Sequence, residues 1–212
     1  RSFGLHNFDV LAGHEYYAYK YEYLSAGKTN LVDGILELRP GTTLYDADSY
    51  TQDYRIESWL GRFNYNYDEK YYLSASLRTD GSSRFHKDAR WGTFWSVGAN
   101  WRVSKEAFME DVEWVSDLKL RAGWGVTGNQ DGLTPYKSLE LYQASGTYYN
   151  NGAFNTAFAV SQNANPNLKW EETSMFNIGL DFQLFKGRLN GTIEWYSKQT
   201  KAMLYTYTVP SP

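Results

Sequence analysis

Between residues 59 and 103 the sequence alternates apolar and polar side chains with a period of two, three times over. That rhythm constrains the fold more than any other feature. Trp59, Gly61, Phe63, Tyr65 and Tyr67 alternate with Leu60, Arg62, Asn64 and Asn66. After a short turn at 68–70, Tyr71, Leu73, Ala75 and Leu77 alternate with Tyr72, Ser74, Ser76 and Arg78. Beyond a loop beginning at Asp80, Trp95, Val97, Ala99, Trp101 and Val103 alternate with Ser96, Gly98, Asn100 and Arg102. Successive side chains of a strand point to opposite faces, so the pattern predicts three long antiparallel strands sharing one apolar and one polar face.

The same rhythm recurs along the chain. It is modest at 8–13 and strong at 118–127 (Leu118, Leu120, Ala122, Trp124, Val126), 176–184 (Phe176, Ile178, Leu180, Phe182) and 189–196 (Leu189, Gly191, Ile193, Trp195). Residues 16–24 fit either a strand extension or a short helix, and the pattern leaves both open. Residues 26–54 read as loop, 105–110 and 112–115 as one or two helical turns, and 128–170 as a long loop rich in Asn, Gly, Tyr and Ser. A tight turn is expected at Lys186-Gly187 and another near Pro210. Both chain ends read as cut.

About seven strands are expected, joined by connections that alternate roughly between short and long. Strands of about ten residues, tilted about 40°, span the apolar band of an outer membrane, and barrels there have short turns at one end and long loops at the other. A soluble β-sandwich is the competing fold, but its strands usually run to five or six residues. Mean hydropathy of −0.60 does not decide against a membrane barrel, which alternates and carries polar loops. A spanning sheet must close, and seven strands do not, so the fold class expected is all-β: an arc of a larger antiparallel transmembrane barrel. Arg62, Arg78, Asn100, Arg121, Asp181 and Glu194 would then face the lumen, and Phe63, Leu73, Val97, Leu120, Ile178, Leu180 and Ile193 the lipid. Tyr65, Tyr67, Tyr71 and Trp101 would form a girdle at the short-turn end, with Trp59, Trp124 and Trp195 toward the other rim.

Several chemistries find no support. The chain lacks Cys, so there is no disulfide, zinc-thiolate site or catalytic thiol. His6, His14 and His86 are scattered without ligand spacing, so no metal and no cofactor is expected. Gly128-Asn129 is followed by no Lys-Ser/Thr and no helix start. No carboxylate pair can be placed across a cleft, so no catalytic residue is proposed and an enzyme is not expected. A net charge of −3 gives no case for nucleic acid. Asp80-Gly81-Ser82-Ser83 reads as a hairpin tip, and the strand glycines as places where neighbours approach closely.

RTDGSSRF at 78–85, WGTFWSVGANWR at 91–102, LKLRAGWGVTGN at 118–129 and NPNLKWEET at 165–173 resemble the C-terminal half of SusC/RagA-type TonB-dependent outer-membrane transporters. So do GHEYY at 13–17 and YSKQT at 196–200. The resemblance implies a 22-stranded barrel, with residues 1–212 part of the barrel domain and the internal plug and TonB box outside this chain. It also implies a multi-pass outer-membrane location, energy from the TonB complex, and a SusD-like lipoprotein lid.

The expected function is therefore import of oligosaccharides or peptides across the outer membrane. A soluble or surface carbohydrate-binding β-domain is the alternative from another class. The loop at 142–170 offers the best ligand surface: aromatic faces supply flat apolar area and amides supply donors and acceptors. Tyr148, Tyr149, Asn150, Asn151 and Asn163 are its candidate contacts to substrate or lid. Asn165 to Trp170 reads as structural, leading into a strand.

Overall fold

A computed structural model describes residues 1–205; the turn expected near Pro210 lies outside the described residues. The main sheet takes strands in the order β1 (Ser2–Phe3), β2 (His6–Thr29), β3 (Thr43–Tyr67), β4 (Tyr71–Ser82), β5 (Trp91–Arg102), β6 (Val115–Asn129), β9 (Glu171–Leu184) and β10 (Leu189–Lys201). Every neighbouring pair is antiparallel. A separate hairpin, β7 (Leu141–Asn150) and β8 (Ala153–Gln162), stands in the connection between β6 and β9. Seven long strands thus build the wall. The connections at 68–70, 103–114 and 185–188 share one end; those at 30–42, 83–90 and 130–170 share the other.

Two sequence expectations give way here. The region 26–54 is largely strand: β2 and β3 run for 24 and 25 residues, leaving only 30–42 between them. Its Asp, Ser and Thr carry no apolar period because both sides of this extension lie outside any apolar band. Residues 16–24 are strand throughout. Asp80, Gly81 and Ser82 are not a hairpin tip but the end of β4, paired on both sides; the true turn lies at 83–90. The connection 103–114 holds two short 3-10 turns, Val103–Lys105 and Ala107–Met109.

The registers place Trp59, Phe63, Leu73, Val97, Leu120, Ile178, Leu180 and Ile193 on one side of the sheet, hereafter the Phe63 side. Arg62, Arg78, Asn100, Arg121, Asp181 and Glu194 share the other, the Arg62 side. No second layer covers either among the described residues. Among the described residues only Phe85, Phe94, Val103 and Trp170 are buried apolar residues, while Val10 is 74%, Ile193 65% and Trp195 59% exposed. A sandwich of this size would hide such side chains in a core; here they form a broad open apolar surface.

That surface drifts across the sheet. On β3 its last apolar residue toward the long-loop end is Trp59, followed on the same side by Glu57, Arg55 and Asp53. On β10 it is Trp195, followed by Ser197, Gln199 and Lys201. Yet Trp195 lies in the hydrogen-bonding row of Ile178, Ala122, Ala99, Leu73 and Tyr65, six residues short of Trp59 after five strand steps. Six residues are about 20 Å of strand and five steps about 24 Å of width, so a level band requires strands tilted about 40°, the tilt of a membrane barrel. Trp124 falls on the same line, four residues short after three steps. Rings meet along this diagonal rather than along the rows: Trp95 against Trp124 at 5.0 Å and Phe176 against Trp195 at 6.0 Å. Trp59, Trp95, Trp124, Phe176 and Trp195 therefore trace one aromatic rim.

Candidate functional site

The Arg62 side is a wall of hydrogen-bonding groups. Arg121 Nη2 donates to Asp181 Oδ1 at 3.2 Å, and Thr192 Oγ1 donates to the same oxygen at 2.9 Å. Arg121 Nε lies 2.8 Å from Asp181 Oδ2, an ionic contact outside hydrogen-bonding geometry. Asn177 Nδ2 donates to Glu194 Oε1 at 3.2 Å, and Asn64 Nδ2 to Asp9 Oδ1 at 3.1 Å. These long side chains lie flat across neighbouring strands because glycine makes room. A Cβ at Gly179 would come within 2.9 Å of Arg121 Nη2, and one at Gly123 within 2.5 Å of Asn177 Oδ1. Arg62, Tyr72, Ser74 and Asn100 line a shallow trough nearer the short-turn end. The six polar positions expected from the sequence thus share one side, spread over the wall rather than gathered into a pocket.

Toward the long-loop end the wall ends in a charged cluster. Arg78 Nε donates to Asp80 Oδ1 at 2.7 Å and Oδ2 at 3.0 Å, while Nη2 reaches Ser58 Oγ at 2.9 Å and Glu15 Oε2 at 3.1 Å. Asp80 and Ser58 are buried, and Arg78 Nε, shared between both oxygens of Asp80, satisfies a carboxylate that burial would otherwise penalise. Beside this cluster sits the one apolar core of the described residues: Phe85, Phe94 and Trp170, with Trp170 5.0 Å from the Phe85 ring and 5.4 Å from that of Phe94. Trp170 Nε1 donates to the Arg90 carbonyl at 2.9 Å, so loop 83–90 is pinned to the start of β9. Gly92 is required here, since a Cβ would meet Phe94 Cζ at 2.5 Å. The structural reading of 165–170 holds.

Beyond the rim the two sides of β2 and β3 exchange character. The Phe63 side becomes charged, with Lys20, Glu22, Asp53, Arg55 and Glu57. The Arg62 side becomes aromatic: Tyr17, Tyr19, Tyr21 and Tyr23 of β2 lie opposite Ile56, Tyr54, Gln52 and Tyr50 of β3. Ring pairs run up it at 5.8 Å (Tyr17–Tyr54), 5.1 Å (Tyr19–Tyr54), 6.0 Å (Tyr21–Tyr50) and 4.9 Å (Tyr23–Tyr50). The Arg84 guanidinium stacks 3.9 Å from the centre of the Tyr54 ring, and its Nη1 donates to the Gln130 carbonyl at 3.3 Å. Hydrogen bonding to Tyr54 pushes the Tyr17 hydroxyl above its ordinary pKa. Alternation was visible in YYAYKYEY, but nothing in sequence told which side the tyrosines would share.

The connection 130–170 contains a hairpin where only loop was expected. Tyr142, Tyr149, Phe154, Phe158 and Val160 share one side of it, and Tyr148, Asn155 and Ser161 the other. Tyr148 and Tyr149 therefore point apart. Asn150 and Asn151 form the tip, where Asn151 and Gly152 take φ of 50° and 79°, a two-residue turn suited to Asn-Gly. Asn163 lies at the base, just past β8. The five candidate contacts occupy one hairpin without converging on one pocket.

At the short-turn end, Glu106 accepts from Tyr71 Oη at 2.5 Å and from Trp101 Nε1 at 2.9 Å. These bonds, the Tyr71 one foremost, hold its carboxyl below the usual range. Lys105 pairs with Glu69 across the same edge. The aromatic tips thus reach past the apolar band to a polar fringe, as an interfacial girdle requires. Among the described residues no group of three His, Asp or Glu could hold a metal ion.

The whole chain, residues 1–212, matches the family model "TonB dependent receptor-like, beta-barrel". TonB-dependent receptor SusC of Bacteroides thetaiotaomicron is 35% identical over 212 residues, covering 99% of this chain and 21% of its own length. TonB-dependent receptor P39 of Formosa agariphila is 36% identical, covering 97% of this chain and 20% of its own. Among solved structures, the RagAB peptide transporter superposes with a TM-score of 0.87 at 30% identity, over 98% of this chain and 23% of that one. The RagAB peptide importer in its open-open state gives 0.84, at 30% identity, over 97% and 22%. The chain spans about a fifth of the length of the relatives it matches. With its tilted apolar band, its polar opposite side and this likeness along its full length, the chain belongs to the TonB-dependent receptor β-barrel family, of the SusC/RagA type.

Proposed function

We propose that this wall is part of an outer-membrane nutrient importer, driven through TonB, that takes up oligosaccharides or peptides with a SusD-like lipoprotein as its lid. The observation that carries the reading is the tilted apolar band backed by a polar side: such a sheet needs lipid on one side and water on the other. The long-loop end faces the cell exterior, as in other outer-membrane barrels. Arg62, Arg78, Asn100, Arg121, Asp181 and Glu194 line the lumen. The reading requires a plug and a TonB-contacting segment outside residues 1–212, which span about a fifth of the relatives' length. The β7–β8 hairpin meets the lid or the substrate through Tyr148, Tyr149, Asn150, Asn151 and Asn163. Support comes from an isolated two-stranded hairpin being marginal in water, so its apolar side calls for a cover.

Deletion of the gene should abolish uptake of one labelled glycan or peptide pool, and loss of TonB should have the same effect. Uptake indifferent to both deletions would overturn the reading. Removing residues 148–163 while surface abundance stays normal should weaken lipoprotein co-purification or uptake; no change in either would strip the hairpin of its role. A soluble carbohydrate-binding domain would fold without detergent, whereas the exposed apolar band predicts aggregation in water.

A further inference from the structure

We infer that the tyrosine-lined Arg62 side of β2 and β3 beyond the aromatic rim is a binding track for a linear, uncharged oligosaccharide, leading down to the Arg78 cluster. The inference rests on the import reading, because only in a barrel wall does this side face the mouth.

Lipid cannot account for the tyrosines. Tyr50 stands nine residues beyond Trp59, about 30 Å of strand, well clear of the apolar band. Nor does packing within the described residues consume them: Tyr17, Tyr19, Tyr21, Tyr23 and Tyr50 are each between 37% and 44% exposed there. Folding alone would favour polar side chains there, and the opposite side of the same two strands is richer in them, with Lys20, Glu22, Ser49, Thr51, Asp53 and Arg55 beside Tyr16, Ala18 and Leu24.

The chemistry of the strip selects the ligand. Between Tyr17 and Tyr23 and their partners on β3, this side carries six tyrosines, Ile56 and Gln52, and no charged residue. Overlapping rings present flat apolar faces with hydroxyls at their edges. Sugars have the matching surface, with patches of C–H on one face and hydroxyls around the ring, and many rings in series suit a repeating chain. A peptide would ask for separate pockets for its side chains, and the strip of overlapping rings offers none. On the same side directly below come Glu15, Ser58, Arg78 and Asp80. Glu15 is more than half exposed and reaches Arg78 at 3.1 Å, so a carboxylate and a guanidinium stand together at the mouth, a pair suited to adjacent sugar hydroxyls. The Arg84 guanidinium covers the Tyr54 ring at 3.9 Å, so a cation borders the lower end of the strip.

The test uses the full-length protein in detergent, titrated calorimetrically with maltoheptaose, cellohexaose, xylohexaose and mannohexaose, and with a mixture of neutral pentapeptides. At least one saccharide should bind, and Tyr21→Ala should weaken it about fivefold or more, the loss of one stacked ring. Tyr21→Phe should retain most of the affinity. Tyr16→Ala, on the opposite side of the same strand, should leave it unchanged. Heat-modifiable gel migration reports that each variant barrel is folded; should Tyr21→Ala fail it, Tyr19→Ala takes its place. No saccharide binding, equal affinity in the Tyr21 and Tyr16 alanine variants, or peptide binding that depends on Tyr21 would each overturn the inference. Parallel uptake assays separate the two claims. Normal TonB-dependent uptake with Tyr-independent binding sinks the track alone. Tyr-dependent binding with uptake indifferent to gene deletion sinks the import reading alone.

Discussion

β2 and β3 are one ribbon in two environments, and Trp59 marks the change. Below it the Phe63 side is apolar and the Arg62 side polar; above it the Phe63 side carries Arg55, Glu57 and Lys20, and the Arg62 side carries tyrosine. Backbone geometry is continuous through the change: the register runs unbroken from His6 to Gly27. A strand thus fixes only which residues share a side, while surroundings decide what each side should be made of. Lipid sets the composition below the rim; water and whatever occupies the mouth set it above.

Five substitutions probe that contrast, the largest effect first. Trp170→Ala removes the centre of the only buried apolar cluster among the described residues and should cost about 4 kcal/mol there. Because that core lies at the long-loop end, the loss should show as faster hydrogen exchange in 83–90 and 165–170, with the membrane strands unchanged. A barrel that unfolds as one unit would break the contrast between lipid-supported and protein-supported regions.

Leu120→Arg sits midway between the rim and the short turns, and in lipid vesicles should cost about 3 kcal/mol by denaturant titration. Its neighbour Arg121→Leu should cost about 1 kcal/mol or less, since Arg121 and Asp181 are each about a third exposed and their pairing is screened. Equal costs would mean that the sides have been assigned wrongly. On the same Phe63 side but above Trp59, Ala18→Arg should shift stability by less than about 0.5 kcal/mol, an ordinary surface change. An effect as large as that of Leu120→Arg would place the rim at the wrong height.

The smallest effect concerns the short-turn fringe. The Glu106 carboxyl is held low by Tyr71 and Trp101, so its contribution is present above the ordinary carboxylate pKa and is lost as pH falls through the depressed one. Trp101 fluorescence should therefore change at a pH below 4.5 in the native protein and lose that step in Glu106→Gln. A step that survives the substitution would assign it to another group.

Membrane strands were the most legible part of the sequence because lipid enforces period two over the full height of the band. All seven long strands were foreseen from Phe63, Leu73, Val97, Leu120, Ile178 and their kin. Where that demand ends, legibility ends too. Residues 43–54 are strand, but Tyr45 and Ala47 stand at odd positions and Tyr50 and Tyr54 at even ones, among Asp, Ser and Thr, so no single apolar period survives and they read as loop. The β7–β8 hairpin hid for a related reason: register shifts beside Tyr142 and Ala144 break the period, and Gly146 interrupts it. The candidate site was legible as a side but not as a place. Arg62, Arg78, Asn100, Arg121, Asp181 and Glu194 follow from parity, whereas the closeness of Arg78, Asp80, Ser58 and Glu15 depends on pairing across strands far apart in sequence.

The 40° tilt also sets how much girth each strand supplies. Tilted so, a strand occupies about 6.3 Å of circumference, and the seven long strands make an arc about 44 Å long. In a closed ring the diameter then rises by about 2 Å for every strand added. The slope of the wall is therefore settled within these strands, while its width is a property of how many others join them.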